Sequence, residues 1–163
     1  MPPDIGASLV ALLPRLRRYA MMLCRSSVMA DDLVQGACLR ALAHADSWTP
    51  GTRFDAWTFR ILRNHWIDGL RQAEQRGDMM ELPEEDEIVG DVGEPSAMAR
   101  LQLRDVQRAI DALPDEQREA LLLVCVEDLS YREAAEILAV PIGTIMSRLA
   151  RARKRIADLT EAA

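Results

Sequence analysis

The feature that most constrains this fold is an interruption. Between Arg76 and Ser96 the chain reads RGDMMELPEEDEIVGDVGEPS, with two prolines, three glycines and concentrated like charge. Such a stretch breaks helices and repels itself, so it predicts a linker. It also concentrates the acidity. Residues 77–98 hold eight acids and no base (−8), whereas residues 1–76 hold ten Arg against seven acids (+3) and residues 99–163 ten bases against eleven acids (−1). The net charge of −6 therefore belongs to the middle, and a nucleic-acid partner stays open for either flank. The expected layout is two lobes, 1–76 and 99–163, on a flexible acidic tether, 77–98.

Helical periodicity dominates both flanks and no strand-like alternation persists, which predicts an all-α protein. Leu9, Leu12, Leu13, Leu16, Tyr19 and Leu23 recur at three- and four-residue steps, with Pro14 either opening a helix or kinking one. A second helix, about 31–45, puts Leu33, Val34, Ala37, Cys38, Ala41 and Leu42 on its apolar face. After a Pro-Gly turn, a third helix (about 54–72) aligns Phe59, Leu62, Trp66 and Leu70. In the second lobe, Leu103, Val106, Ile110 and Leu113 stripe a helix that Pro114 ends. DEQREALLLVCVE reads as the next helix, with acids at its N-terminus. Ser130 and Glu133 then form a capping-box pattern that opens another. The last helix keeps Ile145, Leu149, Ala152, Ile156 and Leu159 in register.

Hydrophobic content of 49% with 28% charge is that of a folded soluble chain. No apolar run approaches the ~20 residues a membrane span needs, and no leader pattern is visible at the N-terminus. Cys24, Cys38 and Cys125 are odd in number and widely spaced, which argues against disulfide or zinc frameworks. It favours small buried apolar residues in a reducing cytoplasm. His44 and His65 lack ligand-spaced partners, so no metal is assigned. With no nucleophile–base set and no phosphate loop, neither an enzymatic activity nor a cofactor is expected.

VPIGTIMSRLARARKRI (residues 140–156) carries five bases and no acid. A capped helix, a short turn and an amphipathic basic helix make the helix-turn-helix arrangement. With Ile145, Leu149 and Ala152 packed inward, Thr144, Met146, Ser147, Arg148 and Arg151 are expected to face outward. Arg148, Arg151 and Arg155 stand at i, i+3 and i+7, suited to a phosphate backbone. The plainer alternative is a solvated face complementing the helix dipole.

The segment LPDEQREALLLVCVEDLSYREAAEILAVPIGTIMSRLARARKRI resembles the promoter −35-binding domain of extracytoplasmic-function (ECF) sigma factors. The matching parts are L-P-x-x-Q-R-E, L-S-Y-x-E-A-A-E-I-L and P-x-G-T-x-x-S-R-L-x-R-A-R. Two positions depart from the family. Met146 stands where Lys or Arg is common, which should lower the salt slope of binding by about one unit. Ala139 stands where the turn often has Gly, at a cost on the order of 1 kcal/mol if φ is positive.

The first lobe resembles the same family. In ADDLVQGACLRALAHADSWTPGTRFDAWTFRILRNHWIDGLRQ the matches are D-D-L-V-Q, L-R-A, F-x-A-W-x-F-R-I-x-R-N and I-D-x-L-R. The resemblance implies a polymerase-binding helix carrying Asp32, Leu33, Val34 and Gln35. Gly36 replaces the usual Glu there, removing a charge and about 1 kcal/mol of helix propensity. It also implies a base-capturing loop at 46–53 and a −10 reading helix at 54–71, with Asn64 on a base edge or phosphate and Arg60, Arg63 and Arg71 on the backbone. Of seven aromatics, five fall within nineteen residues. Phe59 and Trp66 share the apolar stripe and read as core, as does Trp57, while Trp48 in its polar loop is the stacking candidate.

The resemblance implies a non-catalytic specificity subunit that binds core RNA polymerase and promoter DNA at the −35 and −10 elements. The tether would be a solvated linker, a polyanion mimic within the polymerase or a shield for the Arg-rich surfaces. LPRLRRYA, TPGTRFDAWTFRILRN and LPDEQREALLLV resemble the alphaproteobacterial general-stress-response subclass, which implies control by an anti-sigma factor. The rival readings are a sigma mimic that only sequesters an anti-sigma factor and a plain helix-turn-helix regulator.

Overall fold

The computed structural model describes residues 4–78 and 96–161, and every regular element among them is helical. The chain divides into two compact units. Most of the expected tether lies outside the described residues. At its C-terminal end, Ser96 caps a helix that begins at Ala97.

The first unit is a three-helix bundle of α1 (Ile5–Cys24), α2 (Ser27–Ala43) and α3 (Phe54–Gln75). Asp4 opens α1 by accepting from the Ala7 N–H at 3.2 Å. The helix runs through Pro14, which settles that alternative against an opening role. Proline leaves the Val10 carbonyl without its donor, on a side of α1 where Val10 and Pro14 are both exposed. Arg25 ends α1 in the left-handed region (φ 56°), and the Ser26 hydroxyl caps α2 through the Met29 N–H. The core is Leu9, Leu12, Leu16 and Tyr19 from α1, Ala30, Leu33, Val34, Ala37 and Ala41 from α2, and Phe59 and Leu62 from α3. Tyr19 meets Phe59 edge-on at 5.6 Å, a geometry the ring quadrupoles favour.

Asp55, in the first turn of α3, fastens that helix to α1. It accepts from Arg15 at 3.0 Å and from Arg53 at 2.8 Å. Burial alone would raise its carboxyl pKa, but the hydrogen bonds from Arg53, Arg15 and the Ala56 N–H hold it below the usual value.

The second unit comprises α4 (Ala97–Asp111), α5 (Asp115–Leu121), α6 (Tyr131–Leu138) and α7 (Ile142–Glu161). The expected single helix over DEQREALLLVCVE instead loosens into a π turn at Leu122–Val126. The turn leaves Asp128 in the left-handed region and Glu127 buried. Arg118 is buried and donates to the carbonyls of Asp111 and Leu113, both at 3.0 Å, so it satisfies orphan acceptors where α4 ends. The capping box at α6 forms as expected, with both the Ser130 and Glu133 bonds present. Ala139 does adopt positive φ (54°). Val140 and Ala139 donate back to Ala135 and Glu136, which is a Schellman closure built on alanine rather than glycine.

Several expected core positions are not buried. Leu42 of α2 and Leu103 and Val106 of α4 are exposed, and Cys125 is exposed on the π turn, which turns it outward. Phe59 is fully buried, but Trp57, Trp66 and Leu70 are only half-buried.

Candidate functional site

Three helix faces carry the residues singled out in the sequence. On α2, Asp32 and Gln35 are exposed, but Leu33 and Val34 are 7% exposed and belong to the core. That corrects their expected contact with a partner, because at 100° per residue they turn more than 90° away from Gln35. The outward stripe instead runs Val28, Asp32, Gln35, Leu39, Leu42. Val28 is 71%, Leu39 69% and Leu42 52% exposed. The steps of four, three, four and three residues are the heptad spacing of a helix that meets another helix. Val28, Leu39 and Leu42 were missed as surface residues because α2 has apolar side chains on both faces, so periodicity alone cannot say which face is inward.

The position of Gly36 also acquires a cause. His65 of α3 lies across it: a Cβ there would overlap Nε2 and stand 2.8 Å from Cδ2. Burial pushes the His65 pKa down, Arg40 adds to this and Asp68 opposes it. The same two residues bridge α2 and α3, Arg40 donating to Asp68 at 3.0 Å.

On α3, Arg60, Asn64 and Arg71 are exposed and fall within 40° of one another around the helix. Phe59, Leu62 and Ala73 are buried on the opposite side. Arg63 sits at the edge of this face, half-buried. Trp48 does not stand free in its loop. It packs edge-on against Phe54 at 5.4 Å, and Phe54 contacts Trp57 at 5.6 Å. Its indole Nε1 is buried without a hydrogen-bond partner. To stack on a base, Trp48 would have to leave Phe54.

On α7, Ile145, Leu149 and Ala152 are buried. Met146, Ser147, Arg151 and Arg155 are exposed and Thr144 is half-buried. Arg148 departs from expectation. Its side chain is 17% exposed and reaches Glu116 of α5 at 3.5 Å, because its angle on the helix leans it back toward α5. Arg151 and Arg155 carry the outward positive charge of that edge.

Residues 9–76 match Sigma-70 region 2 and residues 103–156 match Sigma-70 region 4. The chain is 39% identical over 153 residues to the ECF RNA polymerase sigma factor EcfG of Rhodopseudomonas palustris, covering 93% of this chain and 82% of the relative. The chain belongs to the ECF RNA polymerase sigma factors. It is a promoter-specificity factor for transcription initiation, not an enzyme. The SigM sigma factor of Mycobacterium tuberculosis is 37% identical over 145 residues, covering 89% of this chain and 71% of its own. The sigma factor RpoE of Bartonella quintana, solved with the anti-sigma factor NepR, matches with a TM-score of 0.78 and 34% identity over 97% of both chains. These likenesses agree with the general-stress-response subclass that the sequence resembles. In this sigma factor, Gly36 and Ala139 are built into the packing and the turn, whereas Met146 lies open on the surface.

Proposed function

We propose that this sigma factor works through two separate lobes, residues 1–76 for polymerase and the −10 element and residues 99–163 for the −35 element. The outward stripe of α2 carries the reading. Val28, Leu39 and Leu42 supply apolar knobs at heptad spacing, and Asp32 and Gln35 supply an acid and an amide between them. That surface fits a basic coiled coil on the polymerase clamp. Arg60, Asn64 and Arg71 follow the −10 strand while Arg63 supports them from the edge, and Trp48 swings from Phe54 to stack on an unpaired base. Thr144, Met146, Ser147, Arg151 and Arg155 meet the −35 groove, with Arg148 bracing α7 against α5.

The protein acts in the cytoplasm. A small anti-sigma protein holds it inactive, as the pairing of its relative RpoE with NepR suggests.

Run-off transcription with purified core polymerase tests this. Leu39→Arg should abolish holoenzyme formation and promoter-specific transcripts while the circular dichroism melt is unchanged. Normal core binding by that variant would refute the α2 assignment. Failure of the wild type to direct any transcript, with tight anti-sigma binding retained, would instead favour a sequestering mimic.

A further inference from the structure

The exposed part of α7 is not uniform. Around the helix, Gly143, Ser147 and Ala150 form a central ridge of small, exposed residues that Lys154 continues, and no neighbouring side chain lies within 4 Å of where a Cβ would stand at Gly143. One edge of that ridge is cationic, with Arg151 and Arg155 exposed. The other edge is apolar: Ile142 and Met146, one turn apart, are both exposed, Met146 to 50%. Arg153, which follows Met146 on this edge, is exposed. The edge is therefore apolar over its first two turns, at Ile142 and Met146, and cationic beyond them.

Each part of this face matches a part of the DNA major groove. Small residues on the ridge let the helix backbone sit deep. The cationic edge complements the phosphates along one side of the groove. The major groove presents a single apolar feature, the C5 methyl of thymine, and a flexible, polarisable thioether adapts well to a methyl surface. A lysine or arginine at position 146 would favour guanine or phosphate instead.

We propose that Met146, backed by Ile142, reads thymine methyl groups in the −35 element and so determines its sequence preference. This rests on the reading that α7 enters the −35 groove. Burying one methyl against Met146 corresponds to about a fourfold gain in affinity. Met146 thus contributes to sequence choice without contributing to the salt dependence of binding.

The test uses holoenzyme assembled from the full chain and core polymerase, with promoter duplexes randomised over the −35 hexamer. Selection should enrich thymine at one or two positions. Replacing each such thymine with deoxyuridine removes only the methyl, and should weaken wild-type binding about fourfold per position. The same replacement should change nothing for Met146→Ala. Met146→Lys should lose the thymine preference and steepen the salt slope by about one unit. A normal −35 preference with uracil tolerated equally by wild type and Met146→Ala would overturn the proposal while leaving the −35 reading intact. Absence of any −35 preference, together with no effect of Arg151→Ala, would overturn both. Uracil tolerance with loss of anti-sigma affinity in Met146→Lys would assign this edge to a protein partner and overturn the proposal.

Discussion

A glycine in the middle of an exposed helix is ordinarily an easy target for stabilisation, since Gly→Ala gains about 1 kcal/mol of helix propensity. Gly36 should resist it. A Cβ at this position overlaps Nε2 of His65 and comes within 2.8 Å of Cδ2 and 3.1 Å of Cε1, so the ring must move. The ring is half-buried and its Nδ1 has no hydrogen-bond partner, so leaving its place gives up packing rather than a bond. An off-rotamer side chain costs about 0.5–1.5 kcal/mol, and local overpacking about 1–3 kcal/mol. Against a propensity gain of about 1 kcal/mol, Gly36→Ala should be neutral to about 2 kcal/mol destabilising. In a His65→Ala background the obstruction is gone, and the same change should stabilise by about 1 kcal/mol. The coupling energy of the cycle is then about 1–3 kcal/mol. Urea unfolding followed by tryptophan fluorescence isolates the relevant unit, because Trp48, Trp57 and Trp66 all lie in it. Stabilisation by Gly36→Ala of about 1 kcal/mol in both backgrounds would refute the steric account.

Two further perturbations probe the scaffold. Asp55→Asn keeps the shape of the carboxylate that joins α1 to α3 but removes its charge, and should cost about 1.5–3 kcal/mol, since hydrogen bonds to charged groups contribute that much. Because the folded state holds the Asp55 pKa below its ordinary value, its contribution is complete above the unfolded carboxylate value and is lost as pH falls through the folded one. The variant should therefore show a shallower acid limb in a stability–pH profile, and an unchanged limb would sink the assignment. Ala139→Gly relieves the left-handed strain at the helix-turn-helix corner and should stabilise the second unit by about 1 kcal/mol, or about 4–8 °C in its melt. A destabilised variant would show that the turn does not hold Ala139 at positive φ.

Much of the fold was legible because its signals are local. The Ser130–Glu133 capping box, the Pro114 stop, the Pro-Gly turn and the buried stripe Ile145, Leu149, Ala152 each depend on residues within a few turns of one another. What stayed hidden depends on contacts between distant segments. Nothing near Gly36 announces that His65, twenty-nine residues on, will lie across it. Arg148 reads as an outward base until α5 brings Glu116 within reach. Leu33 and Val34 sit inside the family motif and looked like contact residues, yet motif membership reports what a helix needs, including its core. The π turn escaped because LLLVCV satisfies a helical pattern, and only the packing of Leu123 and Glu127 fixes where the pitch changes.

The three candidate faces differ in charge, and that difference matters more than the net −6. At about 0.1 M salt the Debye length is about 10 Å, so a partner at a helix face responds mainly to charges within a few turns of it. The α2 stripe offers Asp32 and Gln35 amid exposed apolar residues, which repels phosphate and suits a protein helix. The outward face of α3 offers Arg60, Asn64 and Arg71, and α7 offers Arg151 and Arg155, which suits a nucleic-acid backbone. With the proposed polymerase and −10 surfaces on adjoining helices of one bundle, Arg40–Asp68 and the Gly36–His65 contact would fix their mutual angle. On the proposed reading, a perturbation at that joint would therefore reach both surfaces at once, whereas one at α7 would reach only the −35 contacts.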